Sequence, residues 1–84
     1  MSGRPKAGDP VVVSWIDSAR ISLGWAKAGR YAALENPPME SIGFLVARTD
    51  EKVVIVTTRN VGGPEVRDAL VIPAGCVRSV RRLA

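Results

Sequence analysis

The sequence predicts an all-β domain with one short helical excursion, in which five short strands form a small barrel. Three observations support this fold class. Residues 11–16 are β-branched and aromatic, two apolar runs flank a short polar turn at 49–51, and the last apolar run is interrupted by Pro73 and Gly75. Proline cannot donate to a sheet ladder and glycine adopts backbone angles that other residues avoid. The interruption therefore favours two strands hinged by a tight turn, as at the closure of a small barrel.

The first half of the chain contains one clear strand and one ambiguous segment. Residues 1–10 hold two prolines and two glycines and predict a flexible lead-in, so that residues 11–84 form a single barrel domain. Residues 11–16 predict the first strand, and Asp17 and Ser18 suit a turn or a helix N-cap. Residues 19–35 are alanine-rich but interrupted by glycines, so this excursion is either a short helix or irregular. The two prolines at 37–38 end any helix there.

The second half predicts the remaining strands. Residues 42–48 and 52–58 form an antiparallel hairpin around the polar turn at 49–51. A loop at 59–68 precedes the strand at 69–72, the hinge, and a last strand at 77–83. Val77, Val80 and Leu83 lie three residues apart, which fits a helix as well as a bulged strand. We favour the strand, because valine, cysteine and serine are indifferent helix formers.

The hairpin is apolar on both faces. Ile42, Phe44 and Val46 share one face, while Leu45 and Ala47 share the other. A barrel this small has one interior, so the second apolar face needs a cover. Either the excursion at 19–35 or a second subunit supplies it, and we expect a homo-oligomer.

The order of strand, long excursion, hairpin, loop and two hinged strands resembles the Sm-like and Src-homology-like small barrels. The segment Leu-Val-Ile-Pro-Ala-Gly-Cys-Val-Arg-Ser-Val-Arg-Arg-Leu at 70–83 looks like the second Sm motif. In that resemblance Gly75 is the turn glycine, and Ile72, Val77 and Val80 are the flanking apolar positions. Pro73 departs from the motif, which normally carries there a basic residue that contacts RNA.

A second resemblance covers nearly the whole chain. The segments Val-Ser-Trp-Ile-Asp-Ser (13–18), Gly-Phe-Leu-Val (43–46) and Ile-Pro-Ala-Gly-Cys-Val (72–77), together with Trp25, are similar to a group of small uncharacterised bacteriophage proteins. The resemblance implies a phage or prophage origin. It brings no established activity.

Composition narrows the functional classes. The 84 residues include one cysteine and no histidine, which excludes an intrachain disulfide and makes a zinc site improbable. No apolar run approaches the roughly 20 residues of a membrane span, and the N-terminus lacks a secretory core, so we expect a cytoplasmic protein in an infected or lysogenic host. No paired carboxylates or nucleophile–base arrangement suggests catalysis. We therefore expect a protein that is not an enzyme and has no cofactor.

The net charge of +4 favours a polyanionic ligand. Aromatic rings beside cations can stack on bases while the cations pair with phosphates. The candidate ligand-binding residues are Arg20, Trp25, Lys27, Arg30 and Tyr31 in the excursion, and Arg78, Arg81 and Arg82 at the basic end.

Two functional hypotheses follow. In the first, the protein is a homo-oligomeric phage barrel that binds an RNA segment or a small nucleotide, and one version of it sequesters a host defence signal. In the second, it is a protein-interaction or structural module, either a virion component or an inhibitor of a host protein, and uses its second apolar face for that partner.

Overall fold

The computed structural model describes residues 4–18, 20 and 22–83. It consists of five antiparallel strands in one sheet and one short helix, so the mostly β prediction is confirmed. In chain order the elements are β1 (Pro10–Ile16), α1 (Ala28–Ala32), β2 (Pro38–Arg48), β3 (Lys52–Arg59), β4 (Val66–Pro73), a 3-10 turn (Ala74–Cys76) and β5 (Val77–Arg82). The strands lie in the order β4-β3-β2-β1-β5. Predictions for residues 1–3, 19, 21 and 84 fall outside the described residues.

Strand β2 is the longest strand and is shared between two neighbours. Its first part, residues 38–44, pairs with β1, and its last part, residues 44–48, pairs with β3. Phe44 faces both Pro10 and Val56. At Gly43 the backbones approach so closely that an added Cβ would lie 2.7 Å from the Val56 carbonyl oxygen. The missing side chain lets β2 pass from one partner to the other.

Two β-bulges adjust the register of the sheet. Leu45 pairs with Ile55 and Ala47 with Val54, which leaves Val46 as the extra residue in β2. In the same way Ser79 pairs with Ser14 and Val77 with Trp15, which leaves Arg78 as the extra residue in β5. A bulge of one residue shifts the alternation of faces by one. This explains how Val77 and Val80, three residues apart, both pack against the core, and it confirms the bulged strand over a helix.

The core contains residues from β1, β2, β3 and β4. It is a cluster of buried aliphatic side chains: Val11, Val13, Leu45, Val53, Ile55 and Ile72. Trp15, Cys76, Val77 and Val80 pack against it. Ile72 comes from one edge strand and Val77 from the other, so the two edges of the sheet reach the same core. Each such aliphatic side chain stabilises the fold by about 1.5–3 kcal/mol when fully buried.

The expected closure into a barrel is not present. Strands β4 and β5 are the two edges of the sheet, and no ladder joins them in the described part of the chain. Pro73 has no N–H to donate. The next N–H, that of Ala74, donates to the Glu51 carbonyl at 2.8 Å. Between β4 and β5, the backbone therefore forms a hydrogen bond with the β2–β3 turn, and no hydrogen bond among these described residues links the two edge strands.

The hinge between β4 and β5 is a single 3-10 turn, as its sequence predicts, but it does not depend on glycine. Gly75 lies outside the left-handed region, whereas Gly8 and Gly24 have φ of 93° and 71°. An added Cβ at Gly75 would meet no atom within 4 Å. Pro73 and the bond from Ala74 to Glu51 define this turn.

Among its described residues, the excursion between β1 and β2 holds one short helix and does not cover the sheet. Helix α1 has no buried residue, and Trp25 is fully exposed. Large apolar side chains on the sheet remain exposed, among them Ile42 at 60% and Val71 at 56%. Of the two covers that the sequence suggests, the excursion is not the one used in the described structure. No helix in the described part of the chain is long and apolar enough to cross a membrane.

Candidate anion-binding site

A polar cleft of about 200 Å³ opens where the β2–β3 turn meets the 3-10 turn. We call it the basic cleft, and its lining residues are Arg48, Thr49, Asp50, Val53, Ala74, Val77 and Arg78. Val53 belongs to the core, so the floor of the cleft is part of the packed sheet.

Hydrogen bonds fix both walls of the basic cleft. The Thr49 side-chain oxygen accepts the backbone N–H groups of Glu51 and Lys52, each at 3.2 Å. The Thr49 N–H donates to the Lys52 carbonyl at 2.8 Å, which completes the tight turn. Ala74 then donates its N–H to the carbonyl of Glu51 at 2.8 Å and fastens the second wall to the first. The cleft is thus preformed by backbone contacts.

Two arginines place positive charge at the basic cleft. Arg48 is the last residue of β2 and pairs with Val53, while Arg78 is the bulge residue of β5. Both side chains are exposed, and neither forms an ion pair with any other described residue. A guanidinium group presents a planar fork of donors that matches two phosphate oxygens. The pair can therefore hold one phosphate between them or two neighbouring phosphates.

Asp50 lies in the same cleft and sets a limit on its charge. With two guanidinium groups and one carboxylate, the cleft carries about one net positive charge. A carboxylate accepts hydrogen bonds from hydroxyl and amino groups. The combination suits a ligand that has both a phosphate and a hydrogen-bond donor, such as a ribose or a base.

The other two arginines of the basic end lie elsewhere and are paired. Arg81 bonds to Glu40 at 3.2 Å, and Arg82 bonds to Asp9 at 3.1 Å. The Lys6 backbone N–H, at 2.8 Å, holds the pKa of the Asp9 carboxyl below its usual range, and Arg82 acts in the same direction. Arg82 is four strand residues from Arg78, about 13 Å along β5. The basic end is therefore divided between the cleft and two surface ion pairs.

The predicted residues of the excursion form a separate group. Arg20, Lys27 and Arg30 are exposed, and none of the three lines the basic cleft. The Tyr31 hydroxyl accepts the Leu23 N–H and donates to the Gly24 carbonyl, both at 2.8 Å. Both hydrogen bonds of the Tyr31 hydroxyl therefore hold the loop at residues 23–24.

The side chain of Trp25, in contrast, is fully exposed. The excursion leaves the sheet after β1, whose Trp15 pairs with Val77. Its base therefore lies at the same end of the β1–β5 pair as Arg78. Among the predicted aromatic residues of the excursion, Trp25 is the one left free to stack on a ligand.

A second cleft, of about 170 Å³, lies at the base of the β3–β4 loop. Arg59 and Arg67 line it, but both are engaged. The Arg59 guanidinium lies 4.1 Å from the Phe44 ring centroid and donates to the Gly8 carbonyl at 3.0 Å. Arg67 lies 3.8 Å from the Asp68 carboxylate. This cleft offers less free positive charge than the basic cleft.

Comparison with known proteins adds no assignment: no protein-family model, no curated protein and no solved structure matches the chain.

Arg48 and Asp50 are the charged residues of the basic cleft that the sequence pattern does not single out. The place of Arg48 follows from counting across the β3–β4 loop, because Lys52 pairs with Pro73 and Arg59 with Val66. In an antiparallel pair, counting the same number of residues away from the connecting loop along both strands gives the paired positions. The 49–51 turn therefore lies beside the hinge at 73–76. That arithmetic, applied to the predicted strands, would have brought Arg48 and Arg78 together.

Proposed function

We propose that this chain is a non-enzymatic, homo-oligomeric protein of phage type that binds a nucleotidic anion, either an RNA segment or a small nucleotide. The observation that carries the proposal is the basic cleft, where Arg48 and Arg78 have no carboxylate partner among the described residues. Of the other sheet arginines, Arg67, Arg81 and Arg82 lie beside carboxylates. Arg59 lies over the Phe44 ring and donates to the Gly8 carbonyl. The cleft is where the sheet offers uncommitted guanidinium groups to a ligand.

We also propose kinship with the Sm-like and Src-homology-like small barrels. The strand order, the bent β2 shared by two partners, and the 3-10 turn between β4 and β5 support this kinship. The motif resemblance at 70–83 supports it as well. Pro73, where the Sm motif carries a basic residue, shifts the expected anion contact to Arg48 and Arg78.

Homo-oligomer formation is supported by how much surface the single chain exposes. Its accessible surface is 6504 Å², whereas a folded monomer of 9.0 kDa exposes about 4,900 Å². Its radius of gyration is 16.4 Å, against about 12 Å for a compact domain of this length. The exposed surface includes apolar side chains of the sheet, among them Ile42, Val46 and Val71, which a second copy would bury.

Binding of labelled hexauridylate, followed by fluorescence anisotropy over a range of sodium chloride concentrations, tests the proposal. Two phosphate contacts predict a slope of log affinity against log salt of about −1.4, since each contact to a single strand contributes about −0.7. Arg48→Ala and Arg78→Ala should each weaken binding about tenfold or more and each reduce the slope by about half. Arg67→Ala, an exposed arginine at the far end of the sheet, is the matched control and should leave both quantities unchanged. Equal losses in all three variants would refute a localised site.

A small nucleotide is the other form of this ligand. Isothermal titration with adenosine diphosphate, using the same three variants, distinguishes it from an RNA segment. Sequestration of a nucleotide signal requires tight binding of the small molecule, whereas RNA binding requires an affinity that rises with oligonucleotide length.

A protein-interaction or structural role is the second candidate function. The exposed apolar residues of the sheet support it, Ile42 and Val46 on β2 in particular. Capture of a protein partner that withstands high salt and is lost in Ile42→Lys would favour this role. Salt-sensitive binding of hexauridylate that is lost in Arg78→Ala would favour the anion-binding function.

A further inference from the structure

Strand β4 is an edge strand with an unprotected centre. Seven of its eight residues are exposed and Ile72 alone is buried. Leu70 is 37% and Val71 is 56% exposed, although neighbouring residues of a strand point to opposite faces. The edge is interrupted at Asp68, which has a φ of 64°, and at Pro73. Between these two positions lies a regular apolar stretch, residues 69–72.

Strand β5, the other edge, is protected along its length. It carries three arginines, and the bulge at Arg78 interrupts its ladder. Charged side chains and bulges are the devices by which edge strands avoid pairing with other chains. Arg81 and Arg82 are also tied back to Glu40 and Asp9. The two edges therefore differ: β5 disfavours pairing and the centre of β4 permits it.

We infer that two copies of this chain pair through residues 69–72 of β4, antiparallel and about a twofold axis, to form a continuous ten-stranded sheet. The inference rests on the proposed homo-oligomer and names its surface and symmetry. A ring in which β4 meets β5 of the next copy needs both edges to pair. A twofold contact needs β4 alone, because the same patch serves both subunits.

Charge favours a second copy as the occupant, and the exposed surface of the chain permits it. Each chain has a net charge of +4, and its β5 edge holds three arginines. On β4 the single arginine, Arg67, lies beside Asp68, so two β4 edges meet without net repulsion. The surface in excess of that of a compact monomer is about 1,600 Å², while each partner in a standard interface loses about 800 Å². This excess includes the excursion and the loops, and the exposed apolar residues of β4, Leu70 and Val71, contribute to it.

Cysteine cross-linking combined with solution mass tests the inference. In a Cys76→Ala background, Leu70→Cys and Val71→Cys are prepared separately, because a twofold axis brings a residue near its own copy. Directly opposed residues have Cβ atoms about 4.5–5.5 Å apart, and a disulfide needs about 3.5–4.5 Å, within reach after a small adjustment. Under mild oxidation at least one variant should yield a covalent dimer and no larger species.

The same experiment includes a disruptive variant and a matched control. Val71→Lys should raise the dimer dissociation constant at least tenfold, and Val61→Lys, in the exposed β3–β4 loop, should leave it unchanged. Unmodified protein that stays monomeric at every concentration would overturn both this inference and the proposed homo-oligomer. An oligomer in which neither single cysteine cross-links, while Val71→Cys combined with Ser79→Cys gives a ladder of products, would overturn the twofold contact and leave the homo-oligomer standing.

Discussion

Replacement of Gly43 by alanine should destabilise the protein, because β2 passes close to the β3 backbone at this point. The added Cβ would lie 2.7 Å from the Val56 carbonyl oxygen and 3.3 Å from the Ile55 Cβ. An ordinary carbon–oxygen contact is about 3.3 Å, so the two strands must separate by roughly 0.6 Å. The oxygen belongs to a backbone in a sheet ladder and cannot swing aside.

The size of the effect follows from two opposing contributions. Overpacking of this kind costs about 1–3 kcal/mol. Alanine also restricts the unfolded chain, which returns about 0.4–1 kcal/mol. We expect a net loss of about 1–2 kcal/mol, or a fall in Tm of roughly 4–16 °C for a domain of this size. Thermal unfolding followed by circular dichroism measures it.

Gly75→Ala is the matched control for this prediction. An alanine Cβ there meets no atom within 4 Å, and the residue has no left-handed φ. Its Tm should stay the same or rise slightly, since only the unfolded-state contribution remains. If Gly43→Ala is as stable as Gly75→Ala, the close approach of β2 to β3 is not as described, and the reasoning is refuted.

Three further perturbations probe the lead-in, the core and the excursion. Asp9→Asn removes the ion pair with Arg82 and should lower Tm at pH 7. Because the pKa of Asp9 is lowered in the folded protein, its contribution to stability is full above about pH 4 and is lost as pH falls through the folded pKa. Plots of Tm against pH for the variant and the parent should therefore converge in acid. Plots that stay parallel would contradict this. Ile72→Val should lower the free energy of unfolding in urea by about 1 kcal/mol, and no loss would mean that this side chain is not in the core. Tyr31→Phe removes both bonds that fasten the Gly24 loop and should speed limited proteolysis of the excursion with little change in Tm; an unchanged cleavage rate would contradict the role of the hydroxyl.

The strands were predictable where local pattern and tertiary structure agree. The β-branched runs at 11–16 and 52–58 lie within β1 and β3, and the polar residues at 49–51 form the turn between β2 and β3. The spacing of Val77 and Val80 fits either a helix or a bulged strand, and the weak helix propensity of valine, cysteine and serine decided for the strand. The bulge is present at Arg78. In each case a short segment contains the information that decides its structure.

Features that depend on distant partners were not predictable from such segments. Strand β2 begins at Pro38, four residues before the predicted start, because pairing with β1 outweighs the weak strand propensity of Pro38 and Glu40. Barrel closure depends on whether β4 and β5 meet, and the Ala74 N–H bonds instead to Glu51. The excursion, expected as one possible cover for the sheet, makes its Tyr31 bonds within itself.

The candidate site likewise combines features that the local sequence predicts with features that depend on distant residues. Arg78 was identified from the basic end of the chain, but its separation from Arg81 and Arg82 depends on ion pairs with Glu40 and Asp9 that no local pattern encodes. Arg48 becomes a site residue only through the pairing that sets the β2–β3 turn beside the 3-10 turn.

The measurement that most directly tests the central claim is a titration of 15N-labelled protein with hexauridylate, followed by amide chemical shifts. Binding in the basic cleft predicts the largest shifts at residues 48–50 and 74–78, with smaller ones around Trp25. Shifts confined to residues 20–31, or to Arg81 and Arg82, would place the ligand elsewhere and contradict the assignment. If neither millimolar oligonucleotide nor adenosine diphosphate changes any amide chemical shift, anion binding itself is contradicted.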